Sequence, residues 1–132
     1  MFAIVGYFAA LAAFIAADAV WLGVMVPRLY KPTLIHLMAE SVNLPTAAVF
    51  YLLAPIGVTY FAVLPALKAG SLQSALINGA LYGFFSYATY DLTNQATLRD
   101  WTTQLSVIDI AWGSVLGAFA ASCGYLAATR WA

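Results

Sequence analysis

Residues 87–101 read YATYDLTNQATLRDW, and this stretch decides how the chain can fold. It begins inside an apolar segment, yet it places Asp91, Thr93, Asn94 and Gln95 where a membrane-crossing helix should still be hydrophobic. An aspartate at the centre of a membrane helix costs about 2.5–3.5 kcal/mol on insertion scales, so such a residue has to face protein or water. The stretch therefore predicts a helix whose polar face is turned toward a candidate site.

The composition indicates an integral membrane protein. Of the 132 residues, 64% are hydrophobic and 8% are charged, which is too apolar for the surface of a soluble domain of this size. The formal net charge is zero, so the chain has no basic field that would attract nucleic acid. A single cysteine, Cys123, excludes an intramolecular disulfide and a thiolate metal site, and no motif predicts a cofactor.

The apolar segments predict an all-α membrane protein in which four antiparallel transmembrane helices form one domain. Asn43 is expected to cap the second span. Apolar residues at helical spacing in the connection before it predict a short interfacial helix over about residues 33–42. The four spans are expected at about residues 2–26, 44–67, 72–95 and 105–128.

Glycines and one proline predict how the helices pack. Gly79 and Gly83 form a G-x-x-x-G pair in the third span, and Gly113 and Gly117 repeat the spacing in the fourth, so both helices can approach a neighbour closely. Pro55 is expected to bend the second span. The bend either shapes a cavity or serves packing alone.

Three aspartates are expected around one pocket. Short connections bring the end of the first span, the end of the third and the start of the fourth to one half of the membrane. Asp18, Asp91 and Asp109 lie in those places and are the candidate catalytic acids and bases. Carboxyl groups gathered away from water are expected to retain at least one proton. The candidate ligand-binding residues that accompany them are Trp21, Tyr87, Tyr90, Asn94 and Trp112.

No basic residue lies inside a span to neutralise these acids. Arg99 is near enough in sequence to fold back on Asp91 or Asp109. In the alternative interpretation, the acids belong to a purely structural hydrogen-bond network, in which Asp18 accepts a bond from the indole of Trp21 or Trp112.

Three motifs resemble those of the bacterial membrane proteins called DUF2177. They are D-x-x-W-L-G at residues 18–23, Y-x-x-Y-D-L-T-N-x-A-T at 87–97 with Trp101 following, and D-x-x-W-G at 109–113. The resemblance covers nearly the whole chain. It implies a small integral protein of the bacterial inner membrane, and because the family carries no established activity, it assigns no catalytic residue.

Three functions stay open at this point. An intramembrane pocket of acids and aromatic residues is typical of a protein that binds a lipid-like or small apolar ligand, with isomerase-like acid/base chemistry as its reaction. A proton- or cation-coupled transporter or channel would use the same acids and would need a homodimer to enclose a pathway. An accessory subunit of a larger membrane assembly would use the polar cluster only to hold its helices together.

Overall fold

The computed structural model describes residues 1–132 and contains only helices, which confirms the predicted all-α class. Three of the four helices are long and apolar enough to cross a membrane, namely α1, α2 and α4. Helix α3 is also long but carries the polar residues of the 87–101 stretch. The bounds are Phe2–Leu37 for α1, Leu44–Ala69 for α2, Leu72–Thr97 for α3 and Thr103–Trp131 for α4.

Side-chain caps begin three of these helices. The Asn43 side chain accepts a hydrogen bond from the Thr46 amide at 3.2 Å, as the sequence predicts for the second span. Ser71 and Thr102 do the same at the starts of α3 and α4, each at 3.1 Å. These caps satisfy amides that the first turn of a helix leaves without a partner.

Helices α3 and α4 touch through the glycines that the sequence singles out. A Cβ on Gly79 would lie 2.7 Å from the Ala121 Cβ and also against the Gly117 carbonyl, and a Cβ on Gly83 would meet the Gly113 carbonyl. The later glycine of α3, Gly83, meets the earlier residue of α4, Gly113, so the two helices run in opposite directions. Backbone lies against backbone along this seam, which holds α3 rigidly on α4.

Helix α1 packs on the other side of α4, again through small residues. A Cβ on Gly124 would lie 2.9 Å from the Gly6 carbonyl and 3.4 Å from the Ala10 Cβ. Nearer the other end of α1, Asp18 contacts Trp112. This pair of helices therefore also runs in opposite directions, and α4 lies between α1 and α3.

The connection after the first span differs from the prediction. No separate interfacial helix covers residues 33–42, because α1 continues through a π turn at Val26–Tyr30 and ends in a 3-10 turn at Ile35–Leu37. The wider π turn accommodates Pro27 without ending the helix, and the Lys31 amide still reaches the Val26 carbonyl. As a consequence, Tyr30 is carried on α1 itself and reaches α4.

Helix α2 is firmly packed only in its second half. Val58, Ala62 and Val63 are buried in the core, whereas most residues of 44–54 are exposed. Regular α geometry is interrupted by a π turn at Thr59–Val63, within one turn of Pro55. The first half of α2 consequently leaves a gap beside α3.

The glycine seam generates a stability prediction. Gly83→Ala should lower the free energy of unfolding by about 1–3 kcal/mol, because the new methyl group meets a backbone carbonyl that cannot rotate away. Gly23→Ala is the matched control, since nothing lies within 4 Å of a Cβ at that position. Thermal unfolding in one detergent measures both variants, and equal melting temperatures would contradict the seam.

Candidate functional site

A cleft of about 510 Å³ lies among the four helices at the end where α1 and α3 approach the start of α4. Two acids lie on it, Asp18 and Asp109, and each is 6% exposed. The remaining lining residues are mostly aromatic or aliphatic. They are Trp21, Leu22, Val26, Tyr30, Met38, Phe50, Ser86, Tyr87, Tyr90 and Trp112.

Asp18 is held by donors from two other helices. The Trp112 indole of α4 donates to its Oδ1 at 3.0 Å, and the Tyr51 hydroxyl of α2 donates to its Oδ2. Such donors replace the water that a carboxylate loses on burial. Asp18 therefore ties α1 to both α2 and α4.

Asp109 is held by a relay of two donors from α1. The Trp21 indole donates to the Tyr30 hydroxyl oxygen at 2.9 Å, and the Tyr30 hydroxyl donates to Asp109 Oδ1. Both donors lie on one helix only because α1 continues past Pro27. The bent end of α1 thus positions an acid that belongs to α4.

The two tryptophans that follow the acids stack on each other. The ring centroids of Trp21 and Trp112 are 4.5 Å apart, and the ring planes differ by 1°. Each indole lies three residues after one aspartate and serves the other, Trp112 directly and Trp21 through Tyr30. The two D-x-x-W motifs, at residues 18–21 and 109–112, therefore contact each other, and the tryptophan of each motif supports the aspartate of the other.

Asp91 lies behind the cleft wall, between α3 and α4. Its side chain is fully buried, and neither carboxyl oxygen receives a hydrogen bond from a protein donor. The carboxyl group beside it is that of Asp109. Asp91 and Asp109 are thus neighbouring acids, one buried between the two helices and the other on the cleft.

Basic side chains take no part in this cluster. The only ion pair joins His36 and Asp100, 3.3 Å apart at the surface. Arg99, although near enough in sequence to reach Asp91 or Asp109, pairs with neither and is exposed after the end of α3. The acids also do not form a group that would hold a metal ion.

The structure brings most of the predicted residues to one place. Six line the cleft, Asp91 lies behind it, and Asn94 is not among the lining residues. The backbone carbonyl of Asn94 instead accepts the Leu98 amide at the end of α3. The predicted residues that line the cleft are Asp18, Trp21, Tyr87, Tyr90, Asp109 and Trp112.

Sequence reasoning missed the two tyrosines that donate to the acids. Tyr51 lies on a largely exposed part of α2, where tyrosines usually face lipid headgroups, and no motif distinguishes it. The position of Tyr30 could have been predicted, because a helix that continues past Pro27 carries Tyr30 toward the acids. The indole of Trp112 was among the predicted donors to Asp18 and does donate to it, whereas the phenol groups, which are equally capable donors, were not predicted.

The cleft opens sideways, between α2 and α3. At its rim Phe50 is 45% exposed and Tyr90 is 55% exposed. A second cavity of about 200 Å³ shares Phe50, Ser86 and Tyr87 with the cleft and continues along α2 and α3 toward Val58. The acids therefore lie at one end of an apolar groove whose side faces the surroundings of the helices.

Removal of the relay hydroxyl should destabilise the protein. Tyr30→Phe deletes the donor to Asp109 and leaves the Trp21 indole without its acceptor, so the free energy of unfolding should fall by about 1.5–3 kcal/mol. Tyr90→Phe is the control, because the Tyr90 hydroxyl lines the same cleft but makes no hydrogen bond within the protein, and its loss should cost less than about 0.5 kcal/mol. Denaturation in one detergent compares them, and equal losses would refute the relay.

One comparison with known proteins identifies the family. Neither the comparison with curated proteins nor that with solved structures gave a match. The family model described as "Predicted membrane protein (DUF2177)" matches residues 3–126, which is nearly the whole chain. The chain, with its three apolar helices and its acids gathered around a lateral cleft, belongs to the DUF2177 family of predicted membrane proteins.

Proposed function

We propose that all four helices cross the membrane and that the protein binds a lipid-like molecule in the cleft. For α3, the length supports a span, because 26 residues at 1.5 Å per residue extend about 39 Å. The buried acid of α3 faces α4, and the outer surface of the helix is apolar. Its exposed hydrophobic residues include Leu76, Ile77, Leu81, Phe84 and Phe85.

The observation that carries the ligand proposal is the shape and chemistry of the groove. Its apolar part runs along the gap between α2 and α3, and its polar end is formed by Asp18 and Asp109. A volume of about 510 Å³ falls within the usual range of small-molecule sites. An amphiphile entering from the bilayer would place its chain in the gap and its head at the acids.

A second candidate function is acid/base chemistry on the bound molecule. The Asp91–Asp109 pair favours it, because two neighbouring acids, one on the cleft and one buried behind it, can work as an acid and a base. Asp109 would donate a proton to the ligand or accept one from it, in the manner of an isomerase, and Asp91 would exchange protons with Asp109. Purification in heavy water tests this reaction: deuterium in the carbon skeleton of the retained ligand supports it, and a ligand without deuterium contradicts it.

Helical spans are the form that proteins of the bacterial inner membrane take, whereas outer-membrane proteins form β-barrels. We therefore propose the inner membrane of bacteria as its location, where the bacterial source is what the resemblance to DUF2177 proteins implies. Fractionation of the two membranes of a producing cell measures this directly, and recovery in the outer membrane would contradict it.

Blocking the groove should abolish ligand retention. Ser86 lines both cavities, so Ser86→Phe fills the passage between them. Native mass spectrometry from a mild detergent should show a ligand mass on the wild type and none on this variant. Thr89→Phe, one turn further along α3 on its exposed surface, is the matched control and should keep the ligand.

Two results would contradict the proposal. One is a wild-type protein that carries no ligand and takes up no added amphiphile. The other is equal retention by Ser86→Phe and Thr89→Phe, which would place the bound molecule outside the groove.

A further inference from the structure

We infer that the polar head of the bound amphiphile is a cation, of the amine or quaternary ammonium class. This inference rests on the proposed ligand-binding function and specifies the chemistry of the ligand. Three features of the cleft carry it: the direction of its hydrogen bonds, its charge and its aromatic walls.

The donors beside the acids are already used within the protein. The indole of Trp112 and the hydroxyl of Tyr51 point at Asp18, and the hydroxyl of Tyr30 points at Asp109. The Trp21 indole is used on Tyr30. An ionised carboxylate has about four lone-pair sites, and each oxygen here accepts at most one bond from a protein donor. The acids can therefore accept further hydrogen bonds from a ligand.

The charge of the cleft has the same implication. Two aspartates line it, a third lies directly behind it, and no lysine, arginine or histidine is among the lining residues. No protein cation compensates the carboxyl groups of Asp18 and Asp109. A phosphate or carboxylate head would meet like charge at the acids, whereas an ammonium head supplies the missing charge and, in an amine, N–H donors to the carboxylates.

Aromatic rings complete the site. Six of the twelve lining residues are aromatic, and the stacked pair of Trp21 and Trp112 lies between the two acids. A cation is attracted to the face of an aromatic ring, and this attraction increases when water is excluded, as it is at membrane depth. Carboxylates beside aromatic walls are thus suited to an alkylammonium group.

The competing occupant is a neutral alcohol. The hydroxyl groups of Ser86, Tyr87 and Tyr90 line the cleft and make no hydrogen bond to either acid, so they are free to bind an alcohol head. An alcohol can also donate one bond to a carboxylate, but it leaves the charge uncompensated. A cationic head would therefore bind through charge, whereas an alcohol head would bind through hydrogen bonds without compensating the charge.

The experiment compares four amphiphiles that share one saturated chain and end in a primary amine, a quaternary ammonium group, a hydroxyl or a carboxylate. Each is titrated into the full-length protein in an uncharged maltoside detergent, and binding is measured by native mass spectrometry. The two cations should bind roughly tenfold more tightly than the alcohol, the ratio expected when a charge-assisted contact replaces a neutral one. The carboxylate should bind most weakly.

Matched variants show whether the acids cause the preference. Asp109→Asn should lower amine affinity several-fold more than alcohol affinity, because it removes the negative charge while the amide oxygen can still accept the Tyr30 hydroxyl. Asp100→Asn removes the same charge from an exposed turn outside the cleft and should change neither affinity. If Asp109→Asn does not fold, the four-way comparison in the wild type decides alone.

The outcomes separate this inference from the function on which it rests. Alcohol affinity equal to or greater than that of both cations, or preferred binding of the carboxylate, overturns the cationic head while ligand binding stands. Binding of none of the four amphiphiles contradicts the lipid-like ligand itself. Tighter binding of both cations, reduced in Asp109→Asn and kept in Asp100→Asn, supports the inference.

Discussion

The arrangement of the helices depends on one constraint: the buried carboxyl groups of Asp18 and Asp109, which line the cleft, need hydrogen-bond donors from the protein. Asp18 and Asp109 have no basic partner, so the bonds come from indole and phenol groups on other helices or on the far end of α1. These bonds join α1 and α4 twice, because a donor on α4 binds the acid of α1 and a donor on α1 binds the acid of α4. The same arrangement stacks the ring of Trp21 on that of Trp112.

Helices α1, α3 and α4 pack closely and form a support, whereas the loosely packed first half of α2 leaves a groove. The glycine seams leave no space between α4 and its neighbours, so the acids on α1 and α4 are held at defined positions. Helix α2 contacts this support mainly through its second half, around Val58 and Ala62. The gap left by its first half gives the acids a lateral opening while the rest of the core remains closed.

The helical class, the caps and the glycine contacts could be predicted because each has a local sequence signal. Asp18 and Asp109 could be placed together because helix direction and depth follow from span order. The continuation of α1 could not, since a π turn that accommodates Pro27 depends on packing that periodicity does not report. Nor could the roles of Tyr30 and Tyr51, because nothing in an aromatic residue's sequence context shows whether its hydroxyl meets lipid headgroups or a buried acid.

The exchange rates of the tryptophan indole protons test most directly whether these acids are held by indole donors. The protein has four tryptophans, and Trp131 is 72% exposed with no hydrogen bond from its indole, so it provides the internal reference. In spectra of protein labelled with ¹⁵N-tryptophan, the indole protons of Trp21 and Trp112 should exchange slowly, and the Trp112 resonance should shift in Asp18→Asn. An indole proton of Trp112 that exchanges as fast as that of Trp131 would contradict this expectation.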